Sequence, residues 1–369
     1  MVALKNMVQG AAGKLLLLLL SMAGVLLALE LGVVWLMSGV APYPGVIYRT
    51  DDSRLELWCY DGHFKGEADW DLRGDHPYKA LHYAGNIDDD PRLAGLDPRE
   101  VYNAVEVRLN ELQFRERSED DLVRAMDGGG AVTLVIGDSF CFGQGVRQQD
   151  RFSDIVQARL GARGLDHTVY NMCVPGMNIQ RIARVQREAV KRFGPPTRIL
   201  YSYTLNDPIR DAQTWEMEDS IYDLMHFRRS QFEVMHWSPL WRSAALRWLM
   251  ERRTKQQVAE QTVVWYQRLY GDNPGWRQTA KVLADMEAFC AERGIEFALA
   301  VFPILHQLGD YPLQAAHRKL SAQGIHVVDL LEVFVGEDER AYWVHPTDFH
   351  PNGRAHRLAA EHLLKTLAW

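Results

Sequence analysis

From residue 131 onward the sequence predicts an α/β fold, a parallel sheet with helices on both faces. Two observations predict it. Short apolar or β-branched runs alternate with longer segments of helical periodicity, and the runs end in small polar turns. A third observation, an apolar stretch near the N-terminus, places this domain behind a membrane anchor.

Residues 1–14 carry Lys5 and Lys14 and read as a cytoplasmic N-terminus. Residues 15–37 are apolar apart from Ser21 and Glu30, close to the ~20 residues with which a helix crosses a bilayer. No Lys or Arg follows until Arg49, so the positive-inside tendency puts everything after residue 38 outside. A cleaved signal peptide competes, although its apolar core usually spans only about 7–15 residues before a small-x-small site. Gly39-Val40-Ala41 offers such a site, but Pro42 makes it a poor one, and a retained single-pass anchor is preferred. Glu30 is costly in hydrocarbon unless it is protonated, reaches water at the outer interface, or faces a partner's transmembrane helix.

Residues 38–130 read as a linker and accessory strands packing on the main domain. Val46 to Tyr60 holds one or two strands. Residues 61–100 are rich in Asp, Gly and Pro and read as loops, and Val101 to Leu109 alternates with period two. Gly128-Gly129-Gly130 reads as a flexible joint.

The main domain covers 131–369. Val132-Thr133-Leu134-Val135-Ile136 is a buried strand running into Gly137-Asp138-Ser139. Asp150 to Arg163 is helical, with Phe152, Ile155, Val156 and Leu160 on one face. His167 to Asn171 is the second strand. Gln180 to Phe193 is a helix whose Arg and Lys residues read as a solvated face. Arg198 to Tyr203 is the third strand, Glu296 to Phe302 the fourth, His326 to Asp329 the fifth, and the last helix runs from about Gly353 to Leu367. Residues 208–280 lack a strand signal and carry Trp215, Trp237, Trp241, Trp248, Trp265 and Trp276 among apolar residues at helical spacings. They read as a helical insertion after the third strand. Its tryptophans read first as packing, then as a carbohydrate platform or a membrane-proximal face.

Composition narrows the function classes. A chain 47% hydrophobic and 24% charged is ordinarily globular. A net charge of −7 argues against nucleic acid as a partner. The cysteines Cys59, Cys141, Cys173 and Cys290 have no C-x-x-C spacing, so there is no zinc or thioredoxin signature. Cys141 and Cys173 read as structural thiols, with a disulfide joining two loops as the alternative.

An acyl-transfer site needs a nucleophile, a base, a group that orients the base, and donors for the developing oxyanion. Ser139 sits just past the carboxyl end of the first strand, where open α/β sheets place ligands. Gly176, after the second strand, can present a backbone N–H. Asn206, after the third, offers a side-chain amide. His350 is the base candidate and Asp348 its orienter, just before the last helix. All these loops leave one edge of the sheet. Of the other histidines, His345 flanks the motif, His356 reads as capping or packing, and His306 and His317 are open between surface and substrate contact.

Ser139 in G-D-S-F, Gly176, Asn206 in N-D and His350 in D-x-H-P-N resemble the SGNH, or GDSL, hydrolase superfamily. The resemblance covers about 131–369. It also reaches the N-terminal helix with its internal Glu and the stretch Asn110-Glu111-Leu112-Gln113-Phe114-Arg115, a layout similar to membrane-anchored bacterial members linked to cell-surface polysaccharides. It implies a flavodoxin-like three-layer α/β/α sandwich. It also implies Ser139 as nucleophile, His350 as base, and an oxyanion hole from the Ser139 and Gly176 N–H groups with Asn206. No metal or organic cofactor is implied. Two positions depart from the family pattern. Thr204 replaces the Gly of G-x-N-D, which would narrow the pocket. Asp348 stands two residues before the base, where D-x-x-H puts the acid three before it, at Thr347 here. The D-x-H spacing is similar to that of alginate O-acetylation proteins.

The sequence thus predicts a serine-dependent acyl-ester hydrolase at the bacterial inner membrane, with its catalytic domain in the periplasm. Its substrate would be acylated carbohydrate or another ester. The alternatives are an O-acyltransferase, supplied by a membrane acyl-donor protein, and a non-catalytic polysaccharide-binding protein.

Overall fold

The computed structural model describes residues 11–38, 46–49, 55–56, 105–110, 112, 114–221, 224, 243–345 and 348–369. The loops expected over 61–100 lie outside the described residues. The chain divides into two compact units, Met1–Ala41 with Trp215–Trp265, and Pro42–Thr214 with Tyr266–Trp369.

The first unit contains helix α1 (Ala11–Ser38). Within it, Gly13–Leu36 is 24 residues long with a mean hydropathy of 2.4, long and apolar enough to cross a membrane or to serve as a signal sequence. Apart from the buried Val33, its large apolar side chains from Leu15 to Leu36 are exposed. Glu30 meets polar partners inside this unit. Its Oε2 accepts from Ser243 Oγ at 2.8 Å and from the Ala245 N–H at 3.1 Å.

The second unit is built on strands β4 (Ala131–Gly137), β5 (His167–Asn171), β6 (Arg198–Thr204), β7 (Glu296–Phe302) and β8 (His326–Asp329). The sheet order is β5-β4-β6-β7-β8, parallel throughout. Counted along the chain this is 2-1-3-4-5, the flavodoxin-like arrangement, in which the order reverses at the first strand. The interior of β4 reads Leu134-Val135-Ile136 because both its faces are covered, and all three side chains are fully buried. Helix α4 (Phe152–Ala162) packs with α9 (Gly353–Thr366), α5 (Ile179–Phe193) with α7 (Pro274–Ala291), and α8 (Gln314–Ser321) against β8, giving helical layers about the sheet. Register brings Val135 level with Asn171 and Gly137 level with Ser202, so β5 and β6 end on the same edge of the sheet as β4, each two residues from the end of β4.

Upstream, β1 (Val46–Arg49) pairs antiparallel with β2 (Leu55–Glu56) and parallel with β3 (Val105–Arg108). Helix α2 (Glu119–Asp127) opens with a capping box, in which Ser118 Oγ accepts from Asp121 N and the Asp121 side chain accepts from Ser118 N. The glycines expected as a flexible joint instead close this helix. Gly128 N donates to Arg124 O, and Gly129 takes φ +77 before β4 begins. Near the C-terminus β9 (Trp343–His345) and β10 (Asp348–Pro351) form an antiparallel pair that carries His350.

Candidate active site

At the end of β4 the chain turns through Gly137 at φ +155. A Cβ there would lie 2.6 Å from both Cys141 Sγ and Ser202 O, so only glycine fits. Asp138 then caps the short helix α3 (Ser139–Phe142), accepting from Phe140 N at 3.1 Å. Ser139 is the first residue of α3, and Gly143 at φ +73 stops the helix one turn later.

His350 comes from the other end of the chain. Its Nε2 lies 2.9 Å from Ser139 Oγ, and its ring stands edge-on to Phe140 at 5.6 Å. Asp348 stands in β10 opposite His345. The side chains of both residues lie outside those described. Among the described residues no His, Cys, Asp or Glu cluster could hold a metal ion.

The loops around Ser139 are tied to it covalently and by hydrogen bonds. Cys141 and Cys173 form a disulfide, the alternative reading of these cysteines, and it joins α3 to the loop that leads to Gly176. Gly176 is exposed and left-handed, φ +71. Asn171, buried at the end of β5, donates to Cys141 O and to Ser153 Oγ at 2.9 Å each, and accepts from Cys173 N.

Asn206 sits after β6. Its Oδ1 lies 2.6 Å from Thr204 Oγ1, which turns the amide nitrogen away from that hydroxyl. Thr204 is fully buried. Its hydroxyl also lies 2.9 Å from Asp138 Oδ2 and 3.0 Å from Asp207 Oδ1. Tyr201 OH and Thr204 N donate to Asp207 Oδ2 at 2.8 and 3.1 Å. Burial, then the charge of Asp138, pushes the Asp207 carboxyl well above the usual range, and burial raises Asp138. One threonine proton cannot serve three acceptors. A carboxyl proton shared within the Asp138–Thr204–Asp207 cluster completes the set. The cluster couples the serine turn to the Asn206 loop.

Arg115 is a second brace that motif spacing did not reveal. Fully buried, it donates to the carbonyls of Phe142 (3.3 Å), Gly143 (2.8 Å) and Val146 (2.7 Å), just past α3. Asn110 shapes the bend that delivers it, accepting from the N–H groups of Leu112 and Phe114 at 3.0 Å each.

The remaining histidines separate by environment. His356 is buried in α9 and accepts from Phe152 N at 3.3 Å through Nδ1. Burial, then Arg151, lowers its pKa to about 3, which fits the packing role. His317 is buried, with Nδ1 2.7 Å from Asp329 Oδ1, and is structural. His306 packs against Phe349 and Trp343 at 3.9 and 5.3 Å, and the exposed Phe349 precedes His350.

Residues 135–358 match the GDSL-like Lipase/Acylhydrolase family. No curated protein matches the chain. Similar solved structures include TesA, with 16% identity, 64% of this chain and 98% of that chain covered, and a TM-score of 0.41. The psychrotrophic esterase EstA from Pseudoalteromonas sp. shows 12% identity, with 64% and 95% covered and a TM-score of 0.38. A catalytic mutant of Axe2, an acetylxylan esterase from Geobacillus stearothermophilus, shows 14% identity, with 65% and 95% covered and a TM-score of 0.38. With the family match spanning more than half its length and a flavodoxin-like sheet beneath the serine turn, the chain belongs to the GDSL-like lipase/acylhydrolase family, the SGNH hydrolases.

Proposed function

We propose that this protein is a serine-dependent acyl-ester hydrolase that works through an acyl-enzyme outside the cytoplasmic membrane, on O-acylated carbohydrate. The observation that carries the reading is the 2.9 Å approach of His350 Nε2 to Ser139 Oγ. At that distance the imidazole takes the hydroxyl proton as Oγ attacks the ester carbonyl carbon. The new oxyanion is received by the backbone N–H groups of Ser139 and Gly176 and by the Asn206 amide. Collapse expels the alcohol, which recovers the proton from His350. Water then enters, gives its proton to His350, and frees the acid as Ser139 is reprotonated. Asp348 holds the imidazole in the required orientation.

The Cys141–Cys173 disulfide supports an oxidising compartment, hence the outer side of the membrane. The apolar span Gly13–Leu36 supports a retained anchor. The carbohydrate assignment rests on the likeness of D-x-H-P-N and the anchored layout to surface-polysaccharide proteins. The exposed ring of Phe349 beside His350 is a suitable face for a sugar.

The test uses the full chain in detergent with p-nitrophenyl acetate and an acetylated glycan. Release of acetate should fall by at least about three orders of magnitude in Ser139→Ala. Turnover that survives this substitution would overturn the serine mechanism. If acetyl moves to an added unacetylated glycan in place of appearing free, the reaction is transfer.

A further inference from the structure

We propose that the first two turns of the long insertion helix, residues 243–250, are embedded in the outer part of the lipid bilayer and docked there on Glu30. This rests on the reading of Gly13–Leu36 as a retained span.

The depth of Glu30 follows from helix geometry. At 1.5 Å per residue, Glu30 lies roughly 8 Å beyond the midpoint of Gly13–Leu36. A hydrocarbon core of about 30 Å therefore leaves it about 7 Å below the outer boundary. A carboxyl group at that depth needs donors, because water is absent. The sequence alone left open a partner's transmembrane helix as their source. The structure assigns them to this chain: the Ser243 hydroxyl at 2.8 Å and the Ala245 N–H at 3.1 Å, both accepted by Oε2. These groups open helix α6 (Ala244–Leu269), whose amino end is the positive end of its dipole. Ser243 Oγ also accepts from Leu246 N at 3.1 Å, so one hydroxyl caps the helix and binds the carboxylate.

The start of α6 thus lies at the depth of Glu30, and its sequence fits lipid there. Ala244-Ala245-Leu246-Arg247-Trp248-Leu249-Met250 is apolar but for Arg247. Leu249 is exposed. The charged block Glu251-Arg252-Arg253-Thr254-Lys255 follows at once. From Ala245 to Glu251 a helix rises about 9 Å, close to the depth calculated for Glu30. The charge therefore begins where a helix directed outward leaves the hydrocarbon. The partners of Glu30 set the depth, and the charge boundary in α6 falls where a helix running outward from that depth would reach the headgroups.

The experiment places the full chain in liposomes. Cys141 and Cys173 are oxidised and Cys290 is buried, so in a Cys59→Ser background an introduced cysteine can be labelled selectively. An environment-sensitive fluorophore is attached at Ala245→Cys or, as a control, at Gln257→Cys. Quenching by nitroxide-labelled lipids and by aqueous iodide is then compared, with p-nitrophenyl acetate turnover as the check on folding. Position 245 should be quenched by the lipid nitroxides and shielded from iodide, with the reverse at 257. Glu30→Leu should increase iodide quenching at 245, and Glu30→Gln, which keeps an acceptor, should restore the shielding. Iodide access at 245 in a protein that stays with the vesicles would overturn the proposal, as would a Glu30→Leu variant with unchanged shielding. Loss of residues 1–38 in the intact mass, with release from the vesicles, would instead overturn the retained span itself.

Discussion

Thr204 holds one proton among three acceptors, and the energetics of the site can be probed there. Thr204→Val removes the donor and leaves buried carboxyl oxygens without a partner, a loss of about 1–3 kcal/mol. Thr204→Ser should recover most of it, as read by urea denaturation. Asp207 supplies the pH dependence. Its folded-state carboxyl is held well above the ordinary 3.8 by burial first and by Asp138 second. The folded protein therefore keeps a proton that the unfolded chain gives up, and this group lowers stability as pH rises from 3.8 toward the folded value. Asp207→Asn should flatten the fall in unfolding free energy above about pH 4. An unchanged slope would show that another group sets it. Ser139 and His350, which the structure brings to 2.9 Å, were legible in sequence because the first follows a recognisable strand and the second precedes a recognisable helix. The role of Thr204 was not. A sequence does not show that an N-D aspartate will be buried beside a second carboxyl.

At the scale of elements, the serine turn is held from two sides. The disulfide closes a loop with a sequence separation of 32 between Cys141 and Cys173. Replacing both cysteines by serine should cost about 3–4 kcal/mol by the loop-entropy relation. Unfolding with and without reductant measures this, and the serine pair should lose its response to reductant. Arg115 braces the other side. Arg115→Met removes a buried donor from the Phe142, Gly143 and Val146 carbonyls. It should lower kcat about a hundredfold through misplacement of Ser139, with KM changed much less. A proportionate change in KM alone would assign Arg115 to substrate binding instead. Long strands and helices were readable from periodicity. Helix α2 and the β9–β10 pair were not, because they are short and take their stability from packing. For α2 a usable signal existed, Ser118 followed three residues later by Asp121, a carboxylate variant of the capping box.

At the scale of the molecule, the 2-1-3-4-5 order puts β4 and β6 inside the sheet and β5 and β8 at its edges. Amide exchange should be slowest in β4, β6 and β7, and fastest within the sheet in β8, where only four residues pair. The parallel sheet was legible because its strands are buried runs with helices between them. The division into two units was not, since it depends on residues about two hundred positions apart, Glu30 with Ser243.

The approach of His350 to Ser139 also sets a timetable. The two side chains are separated by 211 positions. Such a contact closes late, because chain entropy must be overcome before it contributes. Catalysis should therefore be the last signal to return on refolding, trailing the recovery of helical circular dichroism. An enzyme of this design has a silent youth: its chain acquires its helices and its sheet before it can cleave any bond.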